Sequence, residues 1–327
     1  MEPKVKLLSV SNKLYEKNVL HFLNENYSNF AADWMSHQVE FLNDLYSGFK
    51  DHYKLIIVIY LINKTLSFYS TNFTKLNYEE FFSKDSIEIE KFTIMEISKS
   101  LFIPKETARR KIKELENLDI IQRKKETLLI NKLAFNYVKP TKGVTRISRF
   151  INRFANVLHQ NEVLEKKIES QKIEKIIKQN FSYVWHLYYN LQIKMISLWI
   201  RYFKKDPCLL HVWSACIFSQ VFAERNSINV LKSNNINILN KRENFNENIG
   251  KAKFSTGINA MSISDLTGIP RATVVRKLHK LTKLNHLKVN KKKQFLTTGE
   301  KINELNKIQS IVIQNLSRFL TKVINIV

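Results

Sequence analysis

At 327 residues, with 44% hydrophobic, 25% charged and 11% aromatic content, the chain can bury a sizeable core, so it need not be disordered and has room for two folded units. Its longest uninterrupted apolar run, Leu55 to Ile62, has eight residues against the roughly 20 that a spanning helix needs, and two cysteines in this length exclude a disulfide framework. The formal net charge of +24 calls for a polyanionic partner, either nucleic acid or an anionic membrane surface.

Lysine outnumbers arginine 41 to 12, beside abundant Ile and Asn, a bias that an AT-rich gene produces by codon usage alone. Arginine is the more telling residue, because its planar fork suits phosphate and guanine. Five of the 12 (Arg109, Arg110, Arg123, Arg271 and Arg276) fall in the windows 97–123 and 263–289.

In chain order, the opening Met-Glu-Pro-Lys-Val-Lys carries an acid at once, and Ser9, Ser11, Asn12 and Lys13 interrupt the apolar residues that follow. It does not read as an export signal, so a cytoplasmic protein is expected, nucleoid-associated if its charge meets DNA. The first 47 residues have helical spacing. Thr93 to Leu101 predicts a helix with Ile94, Ile97 and Leu101 on one face, and Phe102-Ile103-Pro104 makes a corner. A second helix starts there, since proline in a first turn sacrifices no intrahelical bond. Ala108, Ile112 and Leu115 point inward, leaving Lys105, Glu106, Thr107, Arg109, Arg110 and Lys113 outside. Ile120 to Arg123, a basic turn with Lys124 and Lys125, and Thr127 to Ile130 form the pattern of a hairpin.

Thr145 to Asp206 contains no Gly or Pro, and apolar spacing from Ile147 to Ile168 predicts one long amphipathic helix reaching about Asn180. Val184 to Phe203 is apolar on most sides and predicts a core helix. Ser227 to Gly250, where eight of 24 residues are Asn, reads as a surface loop. At the C-terminus, Leu305, Ile308, Val312, Leu316, Phe319 and Val323 form a stripe suited to pairing with another helix, within the chain or in a homodimer.

The chain repeats itself. At an offset of 166, Ile97 to Ile112 falls without a gap on Ile263 to Leu278, and Leu115/Leu281, Leu118/Leu284 and Lys125/Lys291 remain identical. The second copy places Arg271, Ala272, Thr273, Arg276, Lys277 and Lys280 on its second helix and Lys291, Lys292 and Lys293 at the hairpin tip. Upstream, Phe49-Lys50 falls on Phe203-Lys204 at an offset of 154.

At these residues the chain resembles the winged helix-turn-helix transcription regulators, through Ile-Ser-x-x-x-x-Ile-Pro-x-x-Thr-x-x-Arg-Lys-(Ile/Leu)-x-x-Leu-x-x-Leu, which each copy carries in full. Phe295-Leu296-Thr297-Thr298-Gly299-Glu300 and the striped helix after it are similar to the end of a MarR-type domain. The first copy lacks that ending over Asn131 to Lys142.

The resemblance implies a mainly α fold of tandem winged helix-turn-helix domains, each a three-helix core with a β-hairpin wing, joined by long helices and pseudo-dimeric. The winged units cover about 92–131 and 259–298, within segments 1–144, 145–202 and 203–327. It also implies double-stranded DNA as partner and a small-molecule effector between the halves, lined by Trp185, Tyr188, Trp199 and Tyr202, which helical spacing otherwise reads as packing. A second helix of this kind enters the major groove, its first residues at base edges and its cations at phosphates. Since Lys105-Glu106-Arg109 stands where the second copy has Arg271-Ala272-Val275, the two half-sites are expected to be unequal and roughly one or more helical turns apart.

Winged helices also serve as protein–protein adaptors, so a scaffold in a chromosome- or polymerase-associated complex is the alternative. Six scattered glycines make no phosphate-cradling loop, and no His-Glu-x-x-His or Gly-x-Ser-x-Gly occurs, so neither an enzyme nor a cofactor is expected. Cys208, His211 and Cys216 spread around a helix and read as core rather than metal ligands. Acids among the lysines after Thr145 argue against a membrane-surface helix.

Overall fold

The computed structural model describes residues 12–72, 74–90, 92–124, 127–230, 240–252 and 256–327. It is mainly helical, with 72% of residues in helix and short antiparallel strands. In order run α1 (Glu16–Glu25), α2 (Ser28–Ser47), α3 (His52–Thr71), α4 (Tyr78–Phe82), β1 (Ser86–Glu90), α5 (Ile94–Leu101), α6 (Lys105–Glu116), β2 (Ile121–Arg123) and β3 (Thr127–Asn131). A 3-10 turn at Lys132–Ala134 leads to α7 (Phe135–Val138), α8 (Thr141–Gln160), α9 (Ser170–Gln179), α10 (Phe181–Tyr202) and α11 (Pro207–Val230). The remaining elements are α12 (Arg242–Lys251), α13 (Ala260–Thr267), α14 (Arg271–Lys283), β4 (Leu287–Val289), β5 (Phe295–Thr297) and α15 (Ile302–Ile326). No helix among the described residues is long and apolar enough to cross a membrane.

The described residues pack as two compact units: 12–14 with Leu45–Lys205 and Phe319–Val327, and Tyr15–Asp44 with Asp206–Arg318. Three consecutive segments do not describe this division. Residues 145–202 belong inside the first unit, and 15–44 pack with the second repeat copy.

In the first unit α3 is the core rod. Its apolar run from Leu55 to Ile62 is buried almost throughout, with Tyr60 half-buried, and α10 packs along it. Asn77 and Glu80 close a capping box on α4, whose Tyr78, Phe81 and Phe82 meet Phe135 and Phe181 edge-on or tilted. The sheet order is β1-β3-β2, with Ser86 opposite Asn131 and Ile121 opposite Ile130. The repeat pattern in the sequence has no counterpart for β1.

The expected single helix from Thr145 to Asn180 is two helices, α8 and α9. The chain breaks at Glu162, which adopts φ 59°, and Leu164 and Ile168 between the helices are buried, so apolar spacing continued through a turn that is not helical.

The second unit surrounds α11, whose Leu209, Val212, Ala215 and Cys216 are fully buried. The Asn-rich stretch expected to be a loop is helical at both ends: α11 continues to Val230, and Arg242–Lys251 is α12, while residues 231–239 lie outside the described residues. Two of its asparagines take fixed partners in α12. Asn246 Nδ2 donates to Asn306 at 2.8 Å and Asn248 Nδ2 to Glu224 at 2.8 Å. Arg242 Nε donates to Asn24 at 2.7 Å, and Gln309 donates to the Tyr27 hydroxyl, whose pKa burial pushes up to about 12 against the opposing charge of Arg242. On α15, Val312, Leu316, Phe319 and Val323 are buried within the chain, so that part of the stripe offers no face to a second copy.

Candidate nucleic-acid interface

Each repeat copy builds the same local frame. In the first, Thr93 caps α5 by accepting the Glu96 N–H at 3.0 Å; in the second, Asn259 caps α13 by accepting the Ser262 N–H at 2.9 Å. The corner residues, Phe102 at φ 53° and Gly268 at φ 67°, both turn left-handed. Ser98 Oγ then donates to the Ile103 carbonyl and Ser264 Oγ to the Ile269 carbonyl, each at 2.7 Å. Pro104 and Pro270 lead directly into α6 and α14. Ile97, Ala108, Ile112 and Leu115 bury one face, and Ile263, Val274, Leu278 and Leu281 bury the equivalent one, each completely.

Burying that face leaves the opposite one in solvent. Lys105, Glu106, Arg109, Arg110 and Lys113 are exposed on α6; Arg271, Ala272, Arg276 and Lys280 are exposed on α14. Thr107 and Thr273 are half-buried. After α6, β2 and β3 form a hairpin with Arg123 and Lys124 exposed, while Lys125 lies outside the described residues. After α14, β4 pairs with β5, and Asn290 closes the turn by accepting the Lys292 and Gln294 N–H groups at 2.9 and 3.0 Å. Lys291, Lys292 and Lys293 stand exposed at that tip.

One expected DNA contact is engaged inside the fold. Lys277 Nζ lies 2.6 Å from Asp206 at the start of α11, both side chains being mostly buried, so this lysine ties α14 to the helix behind it. Lys280 reaches the same carboxylate at 3.2 Å from a more exposed position. The first copy repeats the device, for Lys111, equivalent to Lys277, pairs with Asp51 at the start of α3 and with Glu114. Burial works against one ionised group in each tie, Asp206 in the second copy and Lys111 in the first. It pushes the Asp206 carboxyl up, but bonds from Lys277, the Leu209 N–H and Lys280, with the charge of Lys277, hold it below the ordinary aspartate range. Burial lowers Lys111, and hydrogen bonds to Asp51 and Glu114 more than reverse it. The repeat shows Lys111 and Lys277 as identical residues, a pattern that a groove contact and an internal tie produce equally.

The thiols of Cys208 and Cys216 are free, and burial raises them to about 11 and about 12. His211 is buried and its Nε2 lies 2.8 Å from Asn43 Oδ1. No group of three or more His, Cys, Asp or Glu side chains among the described residues could hold a metal ion. Trp185 is buried against Phe181 and Tyr188, with ring centroids at 5.1 and 4.8 Å, and Trp199 stacks on Phe203 at 6.3 Å.

Compared with protein-family models, curated proteins and solved structures, the chain gives no match.

Proposed function

We propose that the chain carries tandem winged helix-turn-helix units and binds double-stranded DNA in the cytoplasm as a transcription regulator, repressing by occupying the promoter. The observation that carries this reading is the exposure, at equivalent positions of both copies, of a cationic helix face bearing Arg110 and Arg276. An α-helix fits the B-DNA major groove, and arginine presents its donors to guanine or phosphate in pairs. The β1-β3-β2 sheet, with its hairpin after α6, supports the winged assignment in the first copy.

The experiment is a gel-shift titration on random-sequence duplex at two salt concentrations, with Arg110→Ala and Arg276→Ala singly and together. The double variant is expected to bind roughly tenfold or more weakly, with a log–log salt slope shallower by about 0.9 for each phosphate no longer neutralised. Binding that survives both changes at unaltered slope overturns the site assignment. Selection from a random pool is expected to return unequal half-sites, and a perfect palindrome overturns the asymmetric reading.

A further inference from the structure

The two cationic faces are not electrically equivalent. Every arginine of the first face sits beside a carboxylate: Arg109 Nη1 donates to Glu106 at 2.9 Å, Arg110 Nε lies 3.8 Å from Glu114, and Arg123 Nε donates to Glu116. Within its own length α6 sets five cations against three acids, whereas α14 has five cations and no acid, and the carboxylate that meets it, Asp206, engages Lys277 and Lys280 but neither arginine. Neither Arg271 nor Arg276 forms an ion pair among the described residues.

We infer that the second copy supplies most of the DNA affinity and that Glu106 and Glu116 restrain the first, an inference that rests on the DNA-binding reading above. A phosphate approaching Arg109 or Arg123 competes with, or displaces, a carboxylate that already engages one guanidinium N–H. The displaced charge stays within a Debye length, about 10 Å at 0.1 M salt, and repels the same phosphate. The first face therefore releases fewer counterions and contributes less per cation. Exposed pairs of this kind add little to folding, so stability does not account for three of them around one face.

The test is fluorescence anisotropy with a labelled random-sequence duplex at several salt concentrations. The combined variant Glu106→Gln with Glu116→Gln is expected to bind about tenfold more tightly at low salt and to steepen the log–log slope by about 0.9 for each phosphate newly neutralised. Glu114 stays in place, because it also holds Lys54 and Lys111. Arg276→Ala is expected to weaken binding about tenfold and Arg110→Ala by less than about threefold. Thermal unfolding checks that each variant is folded. Unchanged affinity and slope in the Gln variant, or equal weakening from the two arginine changes, overturns the inference while leaving DNA binding intact. No duplex binding by the parent protein at low salt ends both readings.

Discussion

At the corner between its two helices the first copy holds Phe102, where the second holds Gly268, and both residues turn left-handed. A glycine takes that conformation freely; a phenylalanine does so against its own Cβ, and here its ring lies 5.3 Å from the Arg201 guanidinium. A similar exchange occurs after α6 and α14. Ile120 is buried in the first copy, and the equivalent position in the second is the buried His286. The first copy also lays β1 beside its hairpin, while among the described residues of the second a single bridge joins Ile258 to Phe295. What does not vary is the cap, the Ser-to-carbonyl bond across the corner and the Lys–Asp tie. Those few bonds recur beside the shared buried apolar face, and the residues between them change where a local contact compensates.

The largest expected effect breaks the tie. Asp206→Ala leaves the mostly buried Lys277 without its partner and is expected to cost the second unit about 3 kcal/mol. Asp51→Ala is expected to cost the first unit roughly half as much, because Lys111 keeps Glu114. Hydrogen exchange reads the two units separately, and equal costs would break the comparison. Because the Asp206 carboxyl is depressed in the fold, its contribution is complete above the ordinary aspartate value of about 3.9 and disappears as pH falls through the lower folded value.

Replacing His286 sharpens the contrast at milder pH. Burial and the charge of Lys301 lower its pKa to about 4, against a smaller opposing effect of Glu304. The unfolded chain thus takes up a proton below about 6.5 that the folded one refuses until about 4, and the second unit loses stability across that window as pH falls. His286→Ile is expected to flatten that segment of a melting-temperature profile; an unchanged slope would show that the histidine is not the cause.

The smallest effect tests the corner. A Cβ at Gly268 meets nothing within 4 Å, so Gly268→Ala is expected to cost only the left-handed backbone, about 1 kcal/mol, in urea unfolding. A cost several times larger would mean that the corner is packed rather than merely turned.

In the first copy the span of α5 and the start of α6 were legible to within a residue because their signals are local. A threonine or asparagine three positions before an N–H, a proline at a first turn and apolar residues three or four apart act inside one helix. The same periodicity failed after Leu158, since buried Leu164 and Ile168 keep helical spacing through a break. It failed again in the asparagine-rich stretch, where Asn246 and Asn248 are helical and bonded to distant side chains rather than to their own turns.

Composition, the duplicated motif and the orientation of its apolar faces could therefore be read from residue order alone, because each depends on neighbours within a turn or two. Which cation meets solvent and which is engaged inside the fold could not. Lys277 and Arg276 are adjacent and similar, yet one is bound to a carboxylate 71 residues away and the other faces outward. That difference exists only once loop closure has brought α11 against α14, and no short spacing encodes it.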